Sequence, residues 1–244
     1  MTTELLARVT CTECPIRHRA VCAHCSGDEL DVLEQLKTYK TFKAGDPILW
    51  RGDKLTYVGS LVYGVATLSK TLEDGRTQMV GLLLPSDFIG RTGRTEIDFD
   101  VVAVTDVTLC CFQIKPFEAL IASTPHVAQR LVEMALDELD VAREWMLLLG
   151  RKTAREKIAT FIHMLVQRQH MGGAETSNQA LVLPLTQEQV ANYLGLTLET
   201  VSRQLGAMKK QGILRFSDRR HFEVSDLPAL QLATGDDSDG GILV

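Results

Sequence analysis

Six cysteines carry the most reactive chemistry in the chain. Four fall in one short stretch, Cys11-x2-Cys14-x7-Cys22-x2-Cys25, and the other two are adjacent at Cys110 and Cys111. Thiolates at two-residue spacing can converge on a soft metal centre, and the neighbouring Arg17, His18 and Arg19 would favour the thiolate form. Spacing alone leaves three readings open: an iron–sulfur cluster, a four-cysteine zinc site, of which paired C-x2-C units are a common signature, and unligated thiols in an arm. The N-terminus lacks a signal-type apolar region, and no run approaches the roughly 20 apolar residues that span a bilayer. A cytoplasmic location is therefore expected, with no membrane partner, and that compartment keeps thiols reduced rather than paired as structural disulfides.

A second set of residues has the types that read DNA. Residues 185–214, LTQEQVANYLGLTLETVSRQLGAMKKQGIL, have helical spacing at Val190, Tyr193 and Leu194, a helix-ending Gly195, and Thr197 as an N-cap for a second helix through Met208. Leu198, Val201, Leu205 and Met208 are expected on its apolar face. Glu199, Ser202 and Arg203 lie on another face and can hydrogen-bond to base edges in the major groove. A short helical hairpin with a solvated polar face would fit the same pattern. Charge placement favours DNA: the net charge is −5, yet residues 151–220 hold 11 Lys+Arg against 5 Asp+Glu, leaving −11 on the rest.

Positioning these residues needs several elements. A short amphipathic helix is expected over 27–40. Glycine-, aspartate- and proline-punctuated strands follow at 42–45, 48–52, 57–69, 77–84 and 99–112, a pattern of a small barrel or sandwich. From Pro125 to about Arg151 a seven-residue apolar repeat runs through Ala128, Leu131, Ala135, Ala142, Trp145 and Leu149, with Leu139 and Met146 beside it. That stripe suits packing on the barrel or pairing with a second copy. A helix over 154–169, a polar loop over 171–179, a strand over 180–184 and a hairpin over 213–224 complete the plan. Residues after about 232 read as a disordered tail. No nucleophile–base constellation, phosphate loop or hydrolase motif emerges, so an enzyme is not expected.

A β-rich N-terminal domain, a long connecting helix and a C-terminal winged helix together resemble the CRP/FNR superfamily of bacterial transcription regulators, over nearly the whole chain. The stretch from Asn192 to Arg203, NYLGLTLETVSR, is similar to the recognition element NYLGLTxETxSR of the FNR/FnrL-like branch. The implied fold is α+β. It comprises a cysteine-rich arm (1–26), a cyclic-nucleotide-binding-like β-barrel or jelly-roll sensor (27–124), a dimerisation helix (125–152), a winged helix-turn-helix (153–232) and a tail (233–244).

In that branch the Glu, Ser and Arg read a TTGAT half-site, which implies base-reading roles for Glu199, Ser202 and Arg203. Arg203 suits guanine O6/N7, Glu199 cytosine N4 and Ser202 a contact near thymine. Lys209, Lys210, Arg219 and Arg220 are expected at phosphates. The resemblance further implies a homodimer on a palindromic site in double-stranded DNA, with Leu131, Ala135, Leu139, Ala142, Trp145, Met146 and Leu149 at the seam. Ala142 departs from the acidic residue of the best-known members.

The same resemblance implies an oxygen-labile [4Fe-4S] cluster held by three arm cysteines and one central cysteine, with a zinc-stabilised or thiol-redox regulator as the alternative. Cys11 and Cys14 match the C-x2-C of the branch. Cys22 is the implied third ligand, at a seven-residue gap like the FnrL variants rather than the five of the best-known members, with Cys25 as alternate. Aligning Phe112 and Phe117 with family positions makes Cys110 the central ligand. Strand alternation turns its alternate, Cys111, to the other face. His18 and His24 are expected at the surface. RNA polymerase is an implied partner through exposed β-domain loops such as 90–98. No cyclic nucleotide is expected, because the stretch from Leu84 to Thr92 (LPSDFIGRT) has Arg91-Thr92 without the Gly-Glu pair of cyclic-AMP sensors. Nor is haem, since no histidine falls between His24 and His126.

Overall fold

The computed structural model describes residues 10–170, 181–218 and 221–236. The chain divides into two compact units, Met1–Ala135 and Leu136–Val244.

In the first unit the arm begins with a 3-10 turn at Cys11–Glu13 and leads to α1 (Gly27–Leu36). The start of α1 is fixed by Glu29, whose carboxylate accepts the Ser26 N–H at 2.7 Å. Eight strands follow: β1 (Thr38–Phe42), β2 (Pro47–Leu49), β3 (Tyr57–Tyr63), β4 (Ala66–Thr71), β5 (Thr77–Leu83), β6 (Phe88–Ile89), β7 (Asp100–Ala103) and β8 (Val107–Gln113). They form two antiparallel four-stranded sheets, β1-β8-β3-β6 and β2-β7-β4-β5, which stay open at their edges. Of the expected barrel or jelly roll, the two-sheet jelly-roll form is the one present, an open sandwich rather than a closed barrel.

Two expected strands are in fact pairs. The 57–69 run breaks at Gly64, where φ is +91° and a Cβ would lie 2.2 Å from the Asp106 carbonyl oxygen. That corner sends β3 and β4 into different sheets. The 99–112 run breaks between β7 and β8, again changing sheet. α1 stops at Leu36, so β1 begins four residues earlier than the sequence pattern predicts.

Period-2 alternation sorts the side chains of the β1-β8-β3-β6 sheet. Leu61, Val107, Leu109 and Cys111 point into the sandwich with Ile48, Ala66 and Val101. Val58 and Phe112 point outward and are covered by Leu30 and Leu33 of α1, by Phe117 and Leu120 of α2 (Ile114–Ser123), and by Val127 at the start of α3 (Pro125–Arg151). The helix α2, absent from the sequence-based plan, is what closes this outer face.

The second unit contains the C-terminal part of α3, then α4 (Ala154–His170), β9 (Leu181–Val182), α5 (Gln187–Leu194), α6 (Leu198–Lys210), β10 (Leu214–Phe216), β11 (His221–Val224) and α7 (Leu227–Ala233). Ile158, Phe161, Leu185, Leu194, Val201, Met208 and Phe222 are buried at 1% exposure or less. Trp145 of α3 stacks on Tyr193 of α5 with ring centroids 4.5 Å apart. The predicted polar loop over 171–179 lies outside the described residues. So does most of the predicted tail, but its first residues do not fit that reading. Ala233 ends α7, Thr234 is 3% exposed, and Asp236 pairs with Lys152.

Gly59 gives the fold a sharp test. Its Cβ would stand 2.6 Å from the Cys110 carbonyl oxygen on the neighbouring strand. Overpacking of this kind costs about 1–3 kcal/mol, so Gly59→Ala is expected to lower the thermal midpoint of the metal-free chain by several degrees. An unchanged melting curve would show that the β3–β8 approach is looser than described.

Candidate DNA interface and cysteine site

The helix-turn-helix is built by local hydrogen bonds that the sequence types dictate. At the start of α5 the Thr186 hydroxyl accepts from Gln189 N–H at 3.2 Å, and the Gln189 side chain accepts from Thr186 N–H at 2.8 Å, a reciprocal cap. Gly195 ends α5 at φ +62°, ψ +42°. Thr197 then caps α6, its hydroxyl accepting from Thr200 N–H at 3.3 Å. Val201, Leu205 and Met208 anchor α6 in the core. Leu198, expected with them, lies at the first helical position and is 46% exposed.

Glu199, Ser202 and Arg203 are all exposed on α6, as are Lys209 and Lys210 in its last turn. The Glu199 carboxyl is held below its usual range by its own backbone N–H at the helix start and by the Thr197 hydroxyl. It therefore stays ionised and presents only acceptors, as a contact to a cytosine amino group requires. The antiparallel β10–β11 hairpin follows α6, and β9 adds a third strand, completing a wing. Arg219 and Arg220, predicted at phosphates, lie outside the described residues.

The cysteines divide by face. Cys110, paired across the sheet with Ser60 and Tyr39, packs on the outer surface of β8 against the apolar groups that hold the arm. Cys14, Cys22 and Cys110 all pack against Ile16, Ala20 and Val62 there, while Cys11 and Cys25 are buried in the adjoining cluster with Val21, Leu30 and Leu33. Cys110 interacts electrostatically with Cys14, Cys11 and Cys22, in that order. Cys25 interacts chiefly with Cys22. Cys111 is 1% exposed inside the sandwich, away from the arm.

Burial governs these thiols. It raises the pKa of Cys11 to about 12 and of Cys22 and Cys25 to about 11, and lifts Cys14 and Cys110 as well. Of the cations expected to favour the thiolates, Arg17 acts on Cys22 and Cys25, and Lys37, outside that expectation, acts on Cys11, Cys14 and Cys22, but desolvation outweighs both. In the metal-free chain the thiols are neutral near pH 7, and any metal must displace their protons. Among the described residues no three His, Cys, Asp or Glu side chains converge as they would about one ion. Cys11, Cys14, Cys22 and Cys110 lie instead in or against two adjoining apolar clusters, with Cys110 within electrostatic reach of the other three. Four soft thiols distributed in this way suit a cluster that gives each thiolate its own iron, and Cys11, Cys14, Cys22 and Cys110 could hold it.

The arm is also tied to α3. Arg130 donates from Nη2 to the Arg19 carbonyl at 2.9 Å and pairs with Glu133 at 3.1 Å, and Leu131 and Met134 pack on the cluster that contains Cys11 and Cys25. His24 lies 3.6 Å from Glu133. The contacts between the arm and α3 escaped the sequence because Arg130 and Arg19, and His24 and Glu133, are more than a hundred positions apart. Of the predicted seam, Leu131 and Trp145 also pack within their own chain. Ala135 and Ala142 are exposed, as are Leu139 (44%), Met146 (73%) and Leu149 (37%), and Leu136 (56%), which the heptad count omitted, lies among them.

A helix-turn-helix whose second helix exposes a polar face, followed by a wing, in a chain whose other unit is a β-sandwich, defines a DNA-binding transcription regulator. The profile of the Crp-like helix-turn-helix domain matches residues 156–233, and that of the cyclic nucleotide-binding domain matches 39–124. The chain is 56% identical over 236 residues to the transcriptional activator protein FnrL of Cereibacter sphaeroides, covering 96% of this chain and 95% of the relative. It is 26% identical over 230 residues to the anaerobic regulatory protein of Haemophilus influenzae, covering 93% and 88%. The solved structure of FixK2 from Bradyrhizobium japonicum superposes with a TM-score of 0.76 at 31% identity, over 83% of this chain and all of that one. The chain belongs to the CRP/FNR superfamily, in its FNR/FixK-like branch.

No described helix is long and apolar enough to cross a membrane.

Proposed function

We propose that the protein is an oxygen-responsive, cytoplasmic transcription activator that binds a palindromic TTGAT-type site as a homodimer and holds a [4Fe-4S] cluster through Cys11, Cys14, Cys22 and Cys110. The observation that carries this reading is the division of the adjacent cysteines: Cys110 packs on the outer face with the arm, within electrostatic reach of three of its thiols, and Cys111 is enclosed within the sandwich. The similarity to proteins named FnrL and anaerobic regulatory protein supports the activator and oxygen-linked parts of it.

When bound, the cluster supplies a covalent tie between arm and β8 that oxygen can dismantle. The chain's own residues transmit the state of that tie. With the arm seated, Arg130 keeps its bond to the Arg19 carbonyl, and Leu131 and Met134 keep their apolar neighbours. The first turns of α3 are then held in place, which favours pairing of its exposed apolar side chains with a second copy. Release of the arm removes those contacts and shifts the population toward monomer, by as much as arm seating distinguishes the two states. Glu199, Ser202 and Arg203 read the bases, and Lys209 and Lys210 hold phosphates. RNA polymerase is the partner an activator of this kind must engage.

The deciding experiment is anaerobic purification with iron and acid-labile sulfide analysis, a visible spectrum, and sedimentation before and after air. Four iron and four sulfide per chain, a dimer without oxygen and a monomer after it are expected. Stoichiometric zinc without sulfide, or the same dimer under both conditions, would overturn the reading. The seam has its own check. A carboxylate buried without a partner costs about 3–5 kcal/mol, so Leu139→Glu is expected to weaken the anaerobic dimer by at least about 100-fold. Undiminished dimer in sedimentation would place the interface elsewhere.

A further inference from the structure

Two cations stand against the arm thiols, and neither has yet been assigned a task. Arg17 lies between Cys14 and Cys22 in sequence. Its Nη2 donates to the Cys25 carbonyl at 3.3 Å, and its charge acts favourably on the ionised forms of Cys22 and Cys25. Its Nε–H is buried and has no hydrogen-bond partner among the described residues. Lys37 follows α1 with a side chain only 8% exposed. Its Nζ is 2.7 Å from Glu34 Oε1 and 5.3 Å from the centroid of the Tyr39 ring. Its charge acts on Cys11, Cys14 and Cys22. Glu34 uses its other oxygen to accept the Cys11 N–H at 2.6 Å, so one carboxylate links the lysine to the first thiol's backbone.

We propose that Arg17 and Lys37 are positioning residues of the thiol site, offsetting the negative charge that accumulates when four thiolates gather there and so setting how firmly a metal–sulfur group is retained and how long it survives in air. The inference rests on the ligand reading above.

A [4Fe-4S] core with charge 2+ and four thiolates carries a net charge of 2−, which a largely apolar setting tolerates only with compensation. Arg17 and Lys37 bring two positive charges, against Glu34 beside Cys11 and Glu29, whose charge acts on Cys25. A buried guanidinium N–H without an acceptor is a cost to the metal-free fold, and sulfur acceptors beside it would remove that cost. Hydrogen bonds to cluster sulfurs and the local net charge are among the properties that tune such groups.

The test uses the full chain, reconstituted anaerobically with ferrous iron and sulfide. Variants R17Q, K37M and the double variant remove charge, while R17K and K37R keep it. Iron and sulfide retention after gel filtration, decay of visible absorbance in air-equilibrated buffer, and the reduction midpoint are read alongside melting of the metal-free chain. Changes around metal ligands typically cost 10- to 100-fold in affinity. Each charge-removing variant is therefore expected to lose retention about tenfold, and the double variant about 100-fold. Retention and lifetime should return with K37R and recover in part with R17K, which lacks the planar fork. Should K37M fail to fold, K37Q carries the same expectation.

Wild-type retention, lifetime and midpoint in the folded charge-removing variants would overturn the inference while leaving the cluster reading intact. Failure of the wild-type chain to take up sulfide would overturn both.

Discussion

Cys110→Ser is expected to abolish stable cluster loading, whereas Cys111→Ser, one residue along the same strand, should leave it intact. Cys110 is turned toward Cys11, Cys14 and Cys22, and Cys111 is sealed among Leu61, Leu109 and Val101. Loss of one of four covalent ligands should exceed the 10- to 100-fold range of outer-shell changes, so retention should fall by at least about 100-fold. The anaerobic sample should then sediment as monomer. Cys111→Ser has a different cost. It places a hydroxyl in an apolar interior, worth about 1–3 kcal/mol of stability, and should appear as a lowered melting midpoint with a normal iron and sulfide content. Equal loss of iron and sulfide in both variants would discard the two-face assignment. The same measurement on Cys22→Ser and Cys25→Ser decides the third ligand. The expected loser is Cys22, which interacts with Cys11, Cys14 and Cys110, whereas Cys25 interacts chiefly with Cys22.

The second large effect concerns Arg203. A bidentate contact to guanine is worth about 1–3 kcal/mol per half-site. A twofold dimer meets two half-sites, so Arg203→Ala should cost about 2–6 kcal/mol, or roughly 30-fold to 10⁴-fold in affinity for the palindrome. The loss should vanish on a duplex in which the guanines are already replaced, because there the side chain has nothing to read. Titration of labelled duplexes at fixed salt measures both quantities. An equal loss on specific and substituted DNA would make Arg203 a phosphate contact instead.

How far the sequence could be read depended on the range of the interactions involved. The helix-turn-helix was legible almost residue by residue, since Thr186, Gly195 and Thr197 act through hydrogen bonds to neighbours a few positions away. Leu198 was misassigned because helical periodicity does not reveal whether anything packs beneath the first turn. The heptad position of Trp145 gives no sign that its indole stacks on Tyr193, nearly fifty residues later. The strand over 57–69 looked continuous because its apolar alternation is. The break at Gly64 comes from the close approach of Asp106, which no local pattern encodes.

By itself, the sequence determined the ingredients and their local geometry: a cysteine-rich arm, glycine-punctuated strands, a capped second helix of the helix-turn-helix with Glu199, Ser202 and Arg203 exposed, and the opposite orientations of Cys110 and Cys111. Those follow from bonds and dihedral preferences within a few residues. Only the tertiary structure decided which face of β8 receives the arm, that Lys37 and Glu34 stand beside Cys11, and that Arg130 ties the arm to α3. Such contacts depend on which apolar surfaces the sheets and helices bury against one another, and that choice is made by the whole fold rather than by any segment of it.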